Sequence, residues 1–198
     1  MDLGHTLRAL LTGVPHLLVG GRSRVRAGLE RLASARLGVR RGVPSIPLDS
    51  VAFPHGGPIP ERYTADGDEM TPPLHWREVP GDTRSLVLLV EDPDAPTPRP
   101  FVHWIAVMPP DVCTLGFRLA PGPSPVDSGR TSLLRTGWLG CAPPWGDRAH
   151  HYHFQLFALD RPLSLGARPG RSALLRRMRG HVVGFGERVG TYERPLAH

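Results

Sequence analysis

The sequence lacks lysine, has only two cysteines and contains no long apolar run. No stretch approaches the roughly 20 apolar residues that a membrane-spanning helix requires, which argues against a transmembrane protein. The apolar character of residues 7–20 is interrupted by Pro15 and His16, and no cleavage site of small residues follows. A secretion signal is therefore not expected, and we predict a cytoplasmic protein.

The cysteine content excludes a disulfide framework and a zinc knuckle. Cys113 and Cys141 lie far apart and form no CxxC motif. Two interpretations are open at this point: a single bridge between them, or two free thiols. Free thiols are the simpler interpretation in a reducing cytosol.

The basic charge of the chain is confined to its first 42 residues. The formal net charge is +6, and all 24 basic residues are arginine, which we interpret as coding bias. Residues 1–42 contain eight arginines and two acidic residues, whereas the remainder has equal numbers of both signs. The remainder has no overall basic charge to attract phosphate backbones, so no nucleic-acid partner is expected.

The first 44 residues are predicted to form an arginine-rich helical extension and linker before a domain at 45–198. A helix from a Ser23 cap to Leu37 is indicated by apolar residues at helical spacing: Val25, Leu29, Leu32 and Ala33. This apolar stripe could pack on the domain or on a second subunit of a homodimer. Alternatively, residues 1–42 could contact an anionic membrane peripherally. Packing is favoured because the stripe is narrow and lacks a Trp or Phe anchor.

The domain is predicted to be mainly β. Glycine and proline number 23 each, which suits short strands joined by many turns. A helix is predicted over 168–179, where Gly180 ends it, and residues 118–136 are predicted to form a long loop. The expected fold is an all-β sandwich with a few peripheral helices. Strands are predicted from apolar runs or alternation at 51–53, 74–76, 85–91, 101–108, 151–159 and 181–192.

Four segments contain residues that could form a binding site, and each alone is a weak signal. The first, residues 92–100, holds four prolines and must be a rigid loop at strand ends. Its carboxylates, Asp92 and Asp94, could orient a histidine, bind a cation or only cap backbone N–H groups. The second is His103, within a strand, where a histidine is usually a satisfied core residue.

The other two segments are a loop and the start of a strand. Residues 137–146 are dense in glycine and proline, so they could present backbone N–H groups to an anion or form only a surface turn. Residues 150–153 contain alternating histidines, which could be metal ligands if a partner site existed.

Taken together, these segments resemble the phosphatidylethanolamine-binding family, in the bacterial branch often called Raf-kinase-inhibitor-like. The resemblance covers roughly residues 45–195. Its most specific part combines the DPDAP loop at 92–96 with a downstream PP-x-G-x-x-x-H-x-Y arrangement. Further matching motifs are MTPPLHW at 70–76, VHW at 102–104, HHYHF at 150–154 and GTYER at 190–194.

The resemblance implies an antiparallel β-sandwich with a small pocket at one end. Asp92, His103 and His150 match the pocket residues of the family, and Asp94 and Tyr152 match their supporting shell. The pocket wall, whose backbone faces the ligand, is matched by a loop that includes Gly140, Ala142, Pro143 and Pro144. Family pockets accept phosphate-like and other small anions, including phospholipid headgroups. The implied role is a regulatory or inhibitory binding module, with no cofactor and with a kinase or protease as protein partner.

The chemistry of these residue types agrees with an anion pocket. Imidazoles can donate N–H groups to an anion, and an adjacent aspartate raises a histidine pKa and fixes its tautomer. The sequence departs from the common family pattern at three positions: Trp138 replaces a tyrosine, Cys141 replaces a proline and His151 replaces an arginine. Ligand preference and the rim of the pocket are therefore expected to differ.

Two alternatives compete with simple binding. Cys141 lies nine residues before His150, so a thiolate–imidazole pair could serve a hydrolase or transferase. Asp92, Asp94, His103 and His150 could instead form a metal site. We expect neither a catalytic residue nor a metal, because no Gly-x-Ser-x-Gly, Walker or His-Glu-x-x-His motif occurs.

Overall fold

Nine strands in two sheets form the framework of the described chain. The computed structural model describes residues 25–39, 42–116 and 125–196. One sheet has six strands in the order β2-β9-β8-β4-β5-β7, and the other has three in the order β1-β3-β6. The strands are β1 Leu48–Asp49, β2 Gly57–Pro58, β3 Leu74–Trp76, β4 Ser85–Asp92, β5 Phe101–Met108, β6 Thr114–Leu115, β7 Asp127–Ser128, β8 His150–Leu159 and β9 Val182–Tyr192.

The six-stranded sheet is covered on both faces, which explains the continuous apolar run of β4. All eight residues of β4 are buried, as expected for a strand with no solvent-facing side. One face packs against the three-stranded sheet and forms the larger apolar cluster. The other packs against the helices α1 (Ala33–Leu37) and α2 (Arg171–Met178). The chain is therefore an antiparallel β-sandwich with few helices, apart from one parallel pair between β2 and β9.

The predicted helix from Ser23 to Leu37 is wrong over most of its described length. Residues 25–28 are not helical, Leu29–Arg31 is a single 3-10 turn, and α1 contains only five residues. Ser23 and the earlier residues lie outside the described part of the chain, as does any membrane contact they would make.

Hydrogen bonds from the sheet determine where α1 begins. The backbone N–H of Ala33 donates to Glu91 Oε2 at 2.8 Å, and that of Ser34 donates to Gln155 Oε1 at 2.9 Å. These acceptors satisfy N–H groups that a helix start leaves without partners. Leu32 and Ala33 are buried, whereas Leu29 is 55% exposed, so the apolar stripe does not form one helical face.

The strand predictions at 74–76 and 101–108 are confirmed with the same bounds, and the other strand and helix predictions are confirmed with shifted bounds, except at 51–53. No strand forms there: Val51 is 72% exposed, and the nearest strand is β1. The Ser50 hydroxyl accepts the Ala52 N–H and donates to the Pro73 carbonyl, which turns the chain away from β1. Helix α2 begins three residues later than predicted, after Pro169 and Gly170. In the predicted loop at 118–136, residues 125–136 include β7, and 117–124 lie outside the described chain.

Candidate functional site

A β-bulge places His103 on the face of the large sheet that meets the small sheet. In the pairing of β4 with β5, Val90 lies opposite Trp104 and Glu91 opposite Val102, so His103 is an extra residue. Beyond the bulge Trp104 packs in the cluster between the sheets, whereas Val102 packs on the helical side. The bulge therefore directs His103 and Trp104 to the same side. The His103 ring lies 5.1 Å from the ring of Tyr152.

Asp92 and His150 form a buried pair at one end of the sheet. Asp92 ends β4 and His150 begins β8. His150 Nδ1 donates to Asp92 Oδ2 at 2.7 Å, and the two side chains are 1% and 4% exposed. The second carboxylate oxygen, Oδ1, accepts the backbone N–H groups of Asp94 and Ala95 at 2.8 and 3.0 Å. The DPDAP loop thus fixes the carboxylate, and the carboxylate fixes the tautomer of His150.

The surroundings of His103 favour its neutral form. His103 Nδ1 lies 2.7 Å from the carbonyl oxygen of Leu139, which can only accept, so Nδ1 carries the proton. Nε2 of the neutral ring is then an acceptor. Burial lowers the pKa of His103 and outweighs the opposing charge of Asp92 and the Leu139 hydrogen bond.

The surroundings of His150 favour its charged form. Burial disfavours the imidazolium, but the hydrogen bond and charge of Asp92, helped by Asp147, outweigh it and raise the pKa of His150. Asp92, the hydrogen-bond partner of His150, pairs with Phe101 at the start of β5, so His103 and His150 lie at the same end of the sheet. Two neighbouring histidines with pKa values pushed in opposite directions can divide the roles of donor and acceptor.

The chain's own groups contact the second nitrogen of His150. His150 Nε2 lies 3.3 Å from Asp147 Oδ2, a long hydrogen bond. Arg26 donates from Nη2 to both carboxylate oxygens of Asp147, at 2.9 and 2.8 Å, and from Nη1 to the Asp94 carbonyl. Burial opposes ionisation of Asp147, but hydrogen bonds from Arg26 and His150 lower its pKa. Neither Arg26 nor Asp147 could be predicted from the sequence, because no motif connects residues 121 positions apart.

The loop at 139–144 forms one side of this site, and part of its backbone is already paired. The Gly140 N–H donates to Glu69 Oε1 at 3.0 Å. No motif in the sequence indicated a role for Glu69. Ala142 lies beside the Tyr152 hydroxyl, which is buried and has no hydrogen-bond partner within the described ranges. The carbonyl of Pro143 instead accepts from Arg194 at 3.3 Å, and Pro144 is exposed.

Asp94 holds residues beside the His150–Asp92 pair in place through hydrogen bonds with His151 and Arg148. Its Oδ2 accepts from the backbone N–H and Nδ1 of His151, at 3.0 and 2.8 Å, and Oδ1 accepts from Arg148 at 2.6 Å. Burial opposes its ionisation, but the His151 hydrogen bonds and the charge of Arg148 lower the pKa of Asp94. The family commonly has an arginine at the position of His151. In this chain, His151 and Arg148 both contact Asp94.

The bridge between Cys113 and Cys141 that the sequence left open does not form, because both are free thiols. Burial raises the pKa of Cys141 well above its ordinary value, which keeps the thiol protonated and poorly nucleophilic. In the described chain, no group of three or more His, Cys, Asp or Glu side chains is arranged to hold a metal ion.

Fold and site together define a small β-sandwich with a buried His–Asp pair at one end of its larger sheet. This chain belongs to the phosphatidylethanolamine-binding protein family, whose model matches residues 49–193. A UPF0098 protein of Pyrococcus horikoshii is 37% identical over 191 residues, covering 93% of this chain and 95% of that protein. That alignment includes much of the segment before residue 49.

Two crystal structures are similar over the same domain. One is a protein from Chlamydia trachomatis that is described as a homologue of the phosphatidylethanolamine-binding protein. It is 35% identical with a TM-score of 0.67, and the match covers 76% of this chain and 98% of that one. The other, Escherichia coli YbcL, described as a member of the mammalian family, is 28% identical with a TM-score of 0.65 and covers 75% and 98%. No helix in the described ranges is long and apolar enough to cross a membrane.

Proposed function

We propose that this protein binds a small phosphate-like anion, such as a phosphorylated headgroup, between His103 and His150. The observation that carries the proposal is that two buried histidines at the same end of the sheet both use Nδ1 for a hydrogen bond inside the protein. Nε2 of His150 has only the long contact with Asp147, so both Nε2 atoms can face a ligand that displaces that carboxylate. Charged His150 donates from Nε2, and neutral His103 accepts at Nε2. A phosphomonoester that retains one proton offers both an acceptor and a donor.

Carboxylates of the chain already contact donors at this site. Asp147 contacts Nε2 of His150, and Glu69 accepts the N–H of Gly140. A carboxylate is chemically similar to the oxyanion of a phosphate, so both donors suit a negatively charged ligand. Because the Asp147 contact is long, a phosphate with better geometry can replace it. Arg26, which now pairs with Asp147, would then be available to the ligand.

The proposed role is that of a regulatory or inhibitory binding module in the cytoplasm rather than an enzyme. The family name supports a phosphorylated headgroup as the ligand class. A kinase or protease remains the predicted class of protein partner, since no described surface selects between them.

Titration with phosphoethanolamine, phosphate and acetate, followed by NMR of the histidine rings, tests the proposal. We expect the His103 and His150 signals to move with phosphoethanolamine and phosphate more than with acetate. His150→Gln should weaken phosphate binding about tenfold or more, the usual effect of losing a charged hydrogen bond. His55→Gln, at an exposed histidine, is the matched control and should leave affinity unchanged. Equal affinities of the two variants would refute the assignment.

A further inference from the structure

A cluster of arginines lies on the opposite face of the large sheet. Helix α2 packs on the face remote from His103, and a cavity of about 660 Å³ opens beside it. Three segments meet there: the N-terminal segment at 29–37, the end of the DPDAP loop and α2. Within the described ranges, the lining has one acidic residue, Glu30, and six arginines: Arg31, Arg36, Arg99, Arg171, Arg176 and Arg179.

Most of these guanidinium groups have no partner among the residues that the structure describes. Arg171 Nε donates to the buried carboxylate of Glu91, and Arg31 Nη1 donates to the Pro98 carbonyl at 2.8 Å. Those two contacts hold the cavity walls together. The other four guanidinium groups make neither a hydrogen bond nor an ion pair with any residue in the described ranges: Arg36, Arg99, Arg176 and Arg179.

Unpaired arginines around a concave surface are a suitable anion site. Like charges that share a cleft raise the local positive potential, and their mutual repulsion is relieved when a polyanion binds. Guanidinium groups match phosphate oxygens with two parallel hydrogen bonds. The cavity volume falls within the range of small-molecule sites, about 300–1,000 Å³.

We propose that this arginine cavity binds a small ligand with a chain of two or more phosphate groups. Its described lining contains no aromatic side chain on which a nucleobase could stack, so recognition is directed at the phosphates. Among the described lining residues, Leu175 is the only large apolar side chain and is buried, so it offers no anchor for insertion into a membrane. The concave shape also suits a compact ligand better than the plane of a bilayer.

Calorimetric titration of the full chain with inorganic tripolyphosphate, at near-physiological salt, tests the proposal. Arg99→Gln combined with Arg176→Gln removes unpaired charges from two of the three segments. We expect this double variant to bind about tenfold or more weakly, since each lost guanidinium removes charge-assisted hydrogen bonds. The matched control is Arg130→Gln with Arg135→Gln, which removes the same charge from a different cavity of about 580 Å³.

The outcomes separate this site from general charge attraction and from the histidine site. Retention of tripolyphosphate binding by His150→Gln, with the control double variant near wild type, supports the proposal. Equal losses in both double variants would mean nonspecific attraction, and no measurable binding by the wild-type chain would refute the proposal directly.

ATP should bind as well as tripolyphosphate if only the phosphates are recognised. Binding to phosphatidylserine vesicles that depends on Arg99 and Arg176, without tripolyphosphate binding, would instead identify a membrane surface. Circular dichroism confirms that each variant is folded.

Discussion

At the scale of single residues, the site depends on how Asp92 divides two histidines into a charged and a neutral partner. Asp92 contacts His150 directly and acts on His103 only through its charge. Direct contact outweighs burial at His150, whereas burial prevails at His103. The same carboxylate therefore produces different protonation states at two neighbouring rings.

Asp92→Asn should abolish this division. The amide keeps the size of the side chain but removes the charge, so we expect the pKa of His150 to fall towards or below its ordinary value. Phosphate affinity near pH 7 should fall with it, because fewer molecules carry the imidazolium donor. NMR titration of the ring carbon protons measures the pKa. Asp82→Asn, at an exposed residue, serves as the control, and an unaltered His150 pKa in Asp92→Asn would contradict this explanation.

The same pKa shift gives a sign for the dependence of stability on pH. The pKa of His150 is higher in the folded chain than in the unfolded chain, whose value is about 6.5. Its contribution to the free energy of unfolding is therefore complete below about pH 6.5 and is lost as the pH rises through the folded pKa. We expect urea unfolding at a series of pH values to show this decline in the wild type. The decline should be smaller in His150→Gln, and an identical pH dependence in both would contradict the prediction.

At the scale of elements, Glu91 connects three of them. Its carboxylate accepts from Ala33 at the start of α1, from Gln155 on β8 and from Arg171 at the start of α2. Glu91 is fully buried, so its charge depends on these partners. This arrangement explains why both helices begin over the same part of the sheet.

Glu91→Gln should therefore destabilise the fold strongly. Removing one charge from a buried pair leaves Arg171 without compensation, and we expect a loss of about 3 kcal/mol in the free energy of unfolding. The matched control is Glu78→Gln, which breaks the Arg77–Glu78 pair, where both side chains are 67% exposed. That change should cost less than about 0.5 kcal/mol. Similar costs in urea unfolding would show that Glu91 does not have this role.

Local patterns were sufficient to predict the central strands but not the features set by contacts between distant segments. The apolar runs of β4 and β5 identify them because strands covered on both faces need such runs. The bulge at His103 has no local signature, since it is visible only in the pairing with β4. The start of α1 was missed for the same reason, because Glu91 and Gln155 determine it from the sheet.

At the scale of the whole molecule, the described residues before the family domain pack against that domain. Ala33, Leu37, Val39 and Val43 contribute to the cluster on the helical face of the sheet, and Arg26 reaches Asp147 beside the histidine site. The family motifs pointed to Asp92, His103 and His150; the structure joins Asp92 to His150 by a hydrogen bond and places His103 at the same end of the sheet, and their role in binding stays a prediction. Arg26, Glu69 and Asp147 could not be found, because their roles arise only where distant segments meet.

Asp147→Asn should increase the affinity for phosphate. The carboxylate competes with the ligand for Nε2 of His150 and repels a second negative charge. Its removal also frees Arg26 to contact the ligand. We expect affinity to rise about threefold or more, a fraction of the effect of a charged pair. Calorimetry at constant salt measures this, with Asp68→Asn as an exposed control; weaker binding would show that Asp147 contributes to the ligand site.

The most direct test of the central claim is a titration of the two histidine rings by nitrogen-detected NMR, with and without phosphate. We predict that His103 remains neutral, with its proton on Nδ1, at pH values where His150 is already an imidazolium. Phosphate should raise the pKa of His150 further and change the Nε2 signals of both rings. If both rings titrated together, or if His150 titrated below the ordinary histidine range, the proposed division between donor and acceptor would be wrong.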